Sequence, residues 1–588
     1  MVSVQTIPGL LIAGALLSVL VLVGVYRGSA RRTVPDGGYA RPGETATETA
    51  KPSGVLRWLT TVDHRDIGLM YIFFGTAAAL WGGTDAMMAR TELLTPAETI
   101  WGSETYNALF TTHGITMIFF FVVPVFTGIA NYFLPVLIDA DDMAFPRINA
   151  IAFWLLPPSF LLVRGGLLTE VFAKIVEPAL GALVDPLFAL RPVTLSWTMY
   201  APLSYAQTNP QVDFVLLGLH LSGIATTLGA INFIVTIFTE RGDGIDWANL
   251  DIFSWTMLTQ SAIILFAFPL LGSALIMLLM DRNFGTTFFA LEGGGPILWQ
   301  HLFWFWGHPE VYILFLPATG LTSLILPKFA GRKLFGFKFI VYSTLAIGVM
   351  SFGVWAHHMF TTGLDPRIKV SFMAVTIAIA IPSAVKTFNW MTTMWEGAIK
   401  LTAPMVLLIG GIGTFIIGGV TGVFLASIPV DMAFQGTYYI VGHFHFIIMG
   451  IIAMAMLAAS YYWYPILTRR MYDRRLAMAQ ALVLIVGVTI TFSTQLLLGY
   501  LGMPRRYAEY PEQFTLLHQA STIGAYIMMT SVAMWAVNMV QSLRTGPIVM
   551  DADVWRLKET DQFTREWQWF ERRLEERRGF DTNPSEDD

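Results

Sequence analysis

Six histidines fall inside predicted membrane-spanning segments, and their positions suggest metal ligation. They are His113, His308, His357, His358, His443 and His445. A buried imidazole in hydrocarbon is costly unless it is paired, so intramembrane histidines are candidates for functional sites. One such histidine alone would more often be a hydrogen-bonded core residue. Six at one predicted depth, in the outer half of the bilayer, favour metal centres, and imidazole suits copper, iron and zinc.

Helical geometry distributes these histidines over more than one centre. At about 100° per residue, His443 and His445 project from opposite faces of one helix, so a single helix can ligate two centres. His357 and His358 are about 100° apart if helical, which suits the joint binding of one small ion. Tyr312 lies four residues after His308 on the same helical face, so its phenol can approach that imidazole.

One arrangement uses all six imidazoles. Two histidines give a haem without an open position, whereas a single histidine leaves the iron able to bind a gas. In this arrangement His113 and His445 bind a low-spin haem, and His443 binds a high-spin haem. The remaining three, His308, His357 and His358, hold a copper ion that faces the open position. Tyr312 beside that copper could supply an electron and a proton.

The composition places these residues in a membrane protein. The chain has 588 residues, of which 55% are hydrophobic and only 13% charged, whereas soluble domains carry about 25% charged residues. The net charge of −5 provides no electrostatic basis for nucleic-acid binding. The absence of cysteine excludes disulfides, iron–sulfur clusters and thiolate-bound metals within this chain.

Apolar runs of at least about 20 residues predict an all-α integral membrane protein. We expect a twelve-helix core over residues 58–545, preceded by one extra transmembrane helix within 1–26 and a cytoplasmic polar linker at 27–57. A charged cytoplasmic tail, 546–588, contains the potentially amphipathic segment WQWFERRLEERR. The twelve core runs lie near 68–88, 107–138, 150–168, 213–240, 252–280, 295–327, 335–361, 368–390, 403–427, 434–465, 478–501 and 517–542. Lysines and arginines concentrate at 328–338 and 469–475, which assigns those loops to the cytoplasm.

Several motifs resemble subunit I of the haem–copper oxygen reductases, over about residues 58–545. The glutamate in HPEVY is similar to that of the A-type, cytochrome c oxidase-like members. The motifs are TTVDHRDIGLMY, HGITMIFF, MAFPRINAIAFWLLPPSF, QHLFWFWGHPEVYILFLP, WAHHMFTTGLDP, IPSAVKTFNW, TYYIVGHFHF and GMPRRY.

The resemblance implies the same metal ligands as the helical argument and adds further site residues. Tyr312 resembles the tyrosine that is cross-linked to the copper ligand, here His308. Arg90 resembles the basic residue near the low-spin haem. The family has residues around the haem propionates, and the matching positions in this chain are Asp431, Arg505 and Arg506.

The family also implies two proton routes. Asp142, Asn131 and Asn149 resemble the entrance and polar lining of the first, and Glu310 its inner end. Lys386, Ser383 and Ser323 resemble a second route that leads to Tyr312.

The chain departs from the family pattern at several places, two of which concern its cofactors and its electron donor. Gln435 and Gly436 stand where a His–Asp pair often accompanies a magnesium ion, which leaves that magnesium site in doubt. The quinol-oxidising branch carries basic, acidic, histidine and glutamine residues at four positions, where this chain retains only the acid. These positions hold Trp81, Asp85, Thr105 and Ala108.

The resemblance implies a terminal respiratory oxidase that reduces O2 to water and translocates protons. Without cysteine, the electron-accepting copper site must lie in a separate copper-bearing subunit, fed by cytochrome c or a cupredoxin. We expect further oxidase subunits, surrounding membrane lipid, a prokaryotic plasma membrane location and haems of A type or B/O type towards the outer face. Alternatives are a quinol oxidase, a nitric oxide reductase, which would lack Tyr312 and Lys386, and a secondary transporter, which would show inverted repeats.

Overall fold

The computed structural model of the protein describes residues 54–181 and 190–581. The predicted extra helix at 8–26 and most of the predicted linker at 27–57 lie outside the described residues. The linker's last residues belong to a short helix, Val55–Thr60.

The described part of the chain is helical, and eleven of its helices are long and apolar enough to cross a membrane. A shorter apolar helix, Phe337–Gly353, occupies the place of the remaining predicted span. The prediction of an all-α, multi-span core is therefore confirmed. We number the helices α1 His64–Glu92, α2 Ser103–Leu137, α3 Pro146–Leu180, α4 Gln211–Thr239, α5 Ile252–Asn283, α6 Gly295–Ala330, α7 Phe337–Gly353, α8 Pro366–Met394, α9 Ala403–Leu425, α10 Tyr438–Thr468, α11 Arg474–Tyr500, α12 Glu512–Thr545 and α13 Arg565–Asp581.

Local helix starts follow from the residues that precede them. Asp63 accepts hydrogen bonds from backbone amides at the start of α1, Asp251 does so for α5, and Asp473 for α11. A carboxylate in this position satisfies amides that have no partner within the helix. These caps fix where three of the membrane crossings begin.

Helix α6 is the centre of the bundle. Its most apolar 18-residue window is 100% buried, whereas the corresponding window of α8 is 6% buried. Helix α6 packs against α5, α9 and α10, so its side chains face protein in all directions. Residues of that window are thereby shielded from both lipid and water, whereas few residues of the corresponding window of α8 are buried.

The predicted single span at 335–361 is interrupted. The α-helical part is Phe337–Met350, and two 3₁₀ turns follow, Ser351–Gly353 and Trp355–Met359. His357 and His358 therefore lie on a 3₁₀ segment, which has three residues per turn, and not on the α-helix that the sequence analysis assumed. Val354, at φ −123° and ψ −6°, separates the two turns and is fully buried. Packing of this apolar corner thus overrides continuation of the helix.

Two crossings contain π-helical segments that begin within three residues after a histidine. In α2 the segment Thr116–Val122 follows His113, and in α10 the segment Phe446–Ile452 begins immediately after His445. A π-helical turn re-aims the side chains that precede it and is frequent at functional sites.

The C-terminal segment packs on the helical core. Helix α13 contains the predicted amphipathic segment, and it buries Trp567, Phe570 and Leu574. Trp567 Nε1 donates to the hydroxyl of Tyr462 on α10 at 2.6 Å. The apolar face of this helix therefore contacts protein.

Candidate active site

All six intramembrane histidines line one cavity of about 1530 Å³. Cavities that hold one small molecule are usually about 300–1,000 Å³, so this one has room for more than one large cofactor. The other predicted site residues on its wall are Arg90, Glu310, Tyr312, Ser383, Asp431, Arg505 and Arg506. The remaining predicted residues do not line it: Asn131, Asp142, Asn149, Ser323 and Lys386.

His113 and His445 form an opposed pair. Their ring centroids are 6.3 Å apart and the rings are inclined by 16°. His113 Nδ1 donates to the carbonyl of Gly82 at 2.8 Å, and His445 Nδ1 donates to that of Val441 at 2.9 Å. Such hydrogen bonds orient metal-binding imidazoles and leave Nε2 as the ligand atom. Since bonds between metals and imidazole are about 2 Å long, the pair fits one iron between its rings.

His443 faces the opposite side of α10 from His445, as its spacing predicts. Its Nδ1 donates to the carbonyl of Gly418 on α9 at 2.9 Å. A Cβ atom on Gly422 would lie 2.7 Å from His443 Cε1. Glycine at this position therefore lets α9 approach the imidazole, whose Nε2 is left for a ligand.

His308, His357 and His358 form the triangle that the sequence predicts for copper. Each offers a ring nitrogen within 4.8 Å of the other two, and among the described residues this is the one such group of three or more metal-binding side chains. His308 Nδ1 lies 3.2 Å from His358 Nε2. His357 Nδ1 contacts the Thr376 hydroxyl at 3.0 Å, which leaves its Nε2 free. Three such imidazoles suit copper.

Tyr312 and Glu310 lie one turn or less from His308. The rings of His308 and Tyr312 are 4.7 Å apart between centroids, and His308 Nε2 has no hydrogen-bond partner. Glu310 is 2% exposed, and neither carboxyl oxygen has a hydrogen-bond partner. A buried carboxyl without partners is costly, which makes Glu310 a candidate for proton transfer.

The first predicted proton route is represented by a buried asparagine pair. Asn149 Nδ2 donates to Asn131 Oδ1 at 2.6 Å. Asp142 lies in the loop between α2 and α3, where its carboxylate accepts from the Met143 amide at 2.8 Å. His64 Nδ1 donates to the Asn131 carbonyl at 2.7 Å. The structure thus joins the two asparagine side chains directly, and His64, which the sequence analysis did not select, holds the main chain at Asn131.

The second predicted route centres on a fully buried lysine. Lys386 Nζ donates to Thr344 Oγ1 on α7 at 2.6 Å. Ser323 on α6 accepts a hydrogen bond from Nε1 of Trp390 at 2.8 Å. Trp390 lies one turn after Lys386 on α8. Ser383, on the preceding turn, reaches the cavity wall. Lys386 thus lies one turn from a residue on the cavity wall, although it does not line the cavity itself.

Ionisable residues that are wholly or partly buried line one part of the cavity wall. Arg90 Nη2 donates to the His518 carbonyl and to the Thr522 hydroxyl at 2.8 and 3.0 Å, but its Nε and Nη1 are buried without partners. Burial raises the pKa of Asp431 to about 7 and lowers that of Arg505 to about 9, and burial also lowers the pKa of Arg506. Unpartnered buried donors beside an empty volume fit acceptor groups of a bound cofactor.

The structure identifies supporting residues that the sequence analysis missed. The indole of Trp304 stacks on His358 with centroids 3.8 Å apart, and its Nε1 donates to the Tyr200 hydroxyl at 2.5 Å. Trp304 lies four residues before His308, so helical spacing alone could have found it. Thr344 binds Lys386 and Thr376 binds His357. Each threonine lies on a different helical segment from its partner, so no local spacing in the sequence predicts it. The side-chain amide of Gln435 donates to the His358 carbonyl at 3.2 Å, so Gln435 supports a ligand-bearing turn.

Comparison with known proteins identifies matching families and folds. A profile for cytochrome c and quinol oxidase polypeptide I matches residues 66–527. The chain is 60% identical over 524 residues to cytochrome c oxidase polypeptide 1 of Halobacterium salinarum, covering 89% of this chain and 85% of that one. It is 40% identical over 523 residues to cytochrome c oxidase subunit 1 of Corynebacterium diphtheriae, covering 88% and 89%.

A solved structure supports the fold. The chain resembles a haem–copper terminal oxidase dimer determined by cryo-electron microscopy, with a TM-score of 0.65 and 19% identity. The similarity covers 87% of this chain and 90% of that chain.

Proposed function

The chain belongs to the cytochrome c and quinol oxidase polypeptide I family, and from this we propose which of its residues perform each step. It is the catalytic subunit of a haem–copper terminal oxidase, a membrane protein that binds haems and copper and associates with other oxidase subunits.

The convergence of six imidazoles on one cavity carries the assignment of ligands. His113 and His445 hold the low-spin haem, and His443 holds the high-spin haem. His308, His357 and His358 hold the copper. When bound, these groups would relay the donor's electrons and provide the binding position for the reduction of O2 to water.

The protein's own residues orient the ligands and supply protons. Backbone carbonyls of Gly82, Gly418 and Val441 fix the imidazole tautomers, because each accepts from Nδ1. Trp304 covers one face of His358 and limits the access of water to it. Tyr312, beside His308, is positioned to give up its phenolic proton at the site of oxygen reduction.

Two internal routes bring protons to this dry site. In the first, Asp142 collects protons and the Asn131–Asn149 pair conducts them towards Glu310. In the second, Lys386, with Ser383 and Ser323, conducts protons to Tyr312. The buried hydrogen bond from Lys386 to Thr344 supports this role, since it holds the ammonium group away from the membrane interface.

Electrons come from cytochrome c or a cupredoxin through a separate copper-bearing subunit. This arrangement is supported by the absence of cysteine from the chain, because an electron-accepting copper site with two thiolate ligands cannot form here. The distribution of lysine and arginine supports a plasma membrane orientation with a cytoplasmic C-terminus and the haems towards the outer face. In this orientation oxygen reduction translocates protons outwards.

A quinol donor is the second candidate. The one acid that the chain shares with the quinol-oxidising branch is Asp85, and its carboxylate is bound by Arg164 at 2.5 Å. That pairing disfavours its use for quinol binding. Tyr312 and Lys386 favour oxygen over nitric oxide as the substrate, and family membership excludes a secondary transporter.

The purified complex tests this proposal by metal analysis, haem spectra and donor assays in parallel. We expect copper, two haems, and turnover with reduced cytochrome c or a cupredoxin exceeding that with a quinol. His357→Ala removes one copper ligand, so oxygen reduction should be lost while the low-spin haem spectrum persists. A wild-type complex without haem or copper would refute the assignment, and loss of both haem signals in His357→Ala would contradict the copper site.

A further inference from the structure

A buried ion pair joins α1 to α3 within the membrane-spanning region. Arg164 Nη1 lies 2.5 Å from Asp85 Oδ2, and Arg164 Nη2 donates to Asp85 Oδ1 at 3.2 Å. The side chains are 0% and 5% exposed, respectively. The Arg164 guanidinium also lies over the indole of Trp81, 4.9 Å from the ring centroid. The two opposite charges therefore compensate each other away from water.

Stability alone is a poor explanation for this pair. Desolvation of two charges offsets most of their attraction, and apolar residues of similar volume often stabilise a protein equally well or better. Ionisable residues within membrane-spanning helices are candidates for function for the same reason. A functional role requires a neighbouring group on which these charges can act.

The neighbouring group is the His113 imidazole. The carbonyl of Gly82, one turn before Asp85 on α1, accepts from His113 Nδ1 at 2.8 Å. The hydroxyl of Thr112, the residue before His113, donates to Asp85 Oδ2 at 3.0 Å. One turn of α1 thus contacts both the imidazole and the residue beside it.

We propose that the Asp85–Arg164 pair is a positioning device for His113 whose balanced charges set the reduction potential of the iron bound there. This inference rests on the proposed function, because it requires a haem between His113 and His445. A nearby carboxylate favours the oxidised iron, which carries the greater positive charge, and a nearby guanidinium favours the reduced iron. When the two are paired, their effects largely cancel.

The test is a spectroelectrochemical titration of the low-spin haem in the intact oxidase complex. Arg164→Gln leaves the carboxylate uncompensated and should lower the midpoint potential. Asp85→Asn leaves the guanidinium and should raise it. The double variant should return close to the wild-type value, and Arg164→Lys, which keeps the charge, should shift the potential least among the Arg164 variants.

A second buried pair provides a matched control. Arg282 on α5 lies 2.6 Å from Asp213 on α4, with side chains 5% and 13% exposed. Arg282→Gln disrupts an ion pair of similar burial that makes no contact with His113 or Gly82, so the low-spin potential should not change. A shift equal to that of Arg164→Gln would overturn the proposal, because any broken ion pair would then have the same effect.

The remaining outcomes are decisive as well. Single variants with unchanged potentials, or with shifts of the same sign, overturn the proposal. If Arg164→Gln yields a complex without haem, the double variant provides the test. A double variant that regains a low-spin haem at the wild-type potential supports charge compensation. A double variant that also lacks this haem overturns the proposal. A wild-type complex without a bis-histidine haem spectrum would refute the proposed function instead, so the two failures are distinguishable.

Discussion

At the scale of single residues, Glu310 and Lys386, the buried ionisable groups that we propose for the two proton routes, differ in their hydrogen bonding. Glu310 has no hydrogen-bond partner at either carboxyl oxygen, whereas the Lys386 ammonium is bound by Thr344 at 2.6 Å. An unpartnered carboxyl can rotate between a donor and an acceptor at little cost. The lysine must first leave its threonine, so we expect its route to respond differently to substitution.

Glu310→Gln tests the first route. The amide keeps the size of the side chain but cannot release a proton, and a positioned proton-transfer group contributes about 10²- to 10⁴-fold to rate. We expect turnover and proton uptake to fall by at least about 10²-fold, with haem content close to that of the wild type. Proton uptake by reconstituted vesicles measures the effect, and unaffected pumping would reject the relay role.

Lys386→Met tests the second route. Methionine fills much of the lysine volume without carrying a proton, so reduction of the high-spin haem should slow by about tenfold or more, as expected for loss of a proton-transfer group. Stopped-flow reduction without oxygen measures this rate. The control is Lys328→Met, which removes another buried lysine, 5% exposed, from the end of α6 and should leave the rate near normal. Normal reduction in Lys386→Met would remove this lysine from the route.

At the scale of helices, the site depends on departures from regular α-helix. The π-helical segments follow His113 and His445, and the turn with His357 and His358 is 3₁₀. Each departure places ligand-bearing residues where two or more helices meet. Glycines complete the arrangement, since they allow a neighbouring backbone to approach an imidazole closely.

Gly422→Ala tests that role in α9. The added Cβ would lie 2.7 Å from Cε1 of His443, so the ring must move away from its hydrogen bond with Gly418. We expect loss or weakening of the high-spin haem signal, read from the carbon monoxide difference spectrum, while the low-spin signal remains. Gly413→Ala on the same helix is the control, because nothing lies within 4 Å of its added Cβ and Gly413 does not line the cavity. Equal spectra for both variants would contradict the steric argument.

Local patterns predicted much of this site, and packing between distant helices determined the rest. The separation of His443 from His445 followed from helical periodicity alone, as did the approach of Tyr312 to His308. The 3₁₀ turn at His357 could not be predicted, because the burial of Val354 decides it. Thr376 and Arg164 were also missed, since their partners lie on other helices and no spacing in the chain connects them.

At the scale of the whole molecule, the C-terminal segment joins residues from several helices at one end of the bundle. Arg565 Nη1 donates to the carbonyl of Leu137 at the end of α2 at 3.3 Å. The Tyr462 hydroxyl on α10 donates to Glu566 Oε1 at 3.1 Å and accepts from Trp567. Residues far apart in sequence therefore meet under α13. The apolar face of the predicted amphipathic segment therefore packs on the protein's own core.

Trp567→Ala tests this docking. The indole is fully buried, so its removal should cost about 3–5 kcal/mol through lost contacts and a new cavity. We expect protease to cleave the segment around α13 much faster in the variant complex, while the haem spectra stay unchanged because no α13 residue lines the cavity. Trp569→Ala, on the same helix but only partly buried under Arg573, should change cleavage far less. Equal cleavage rates in both variants would contradict the role of the buried indole in docking α13.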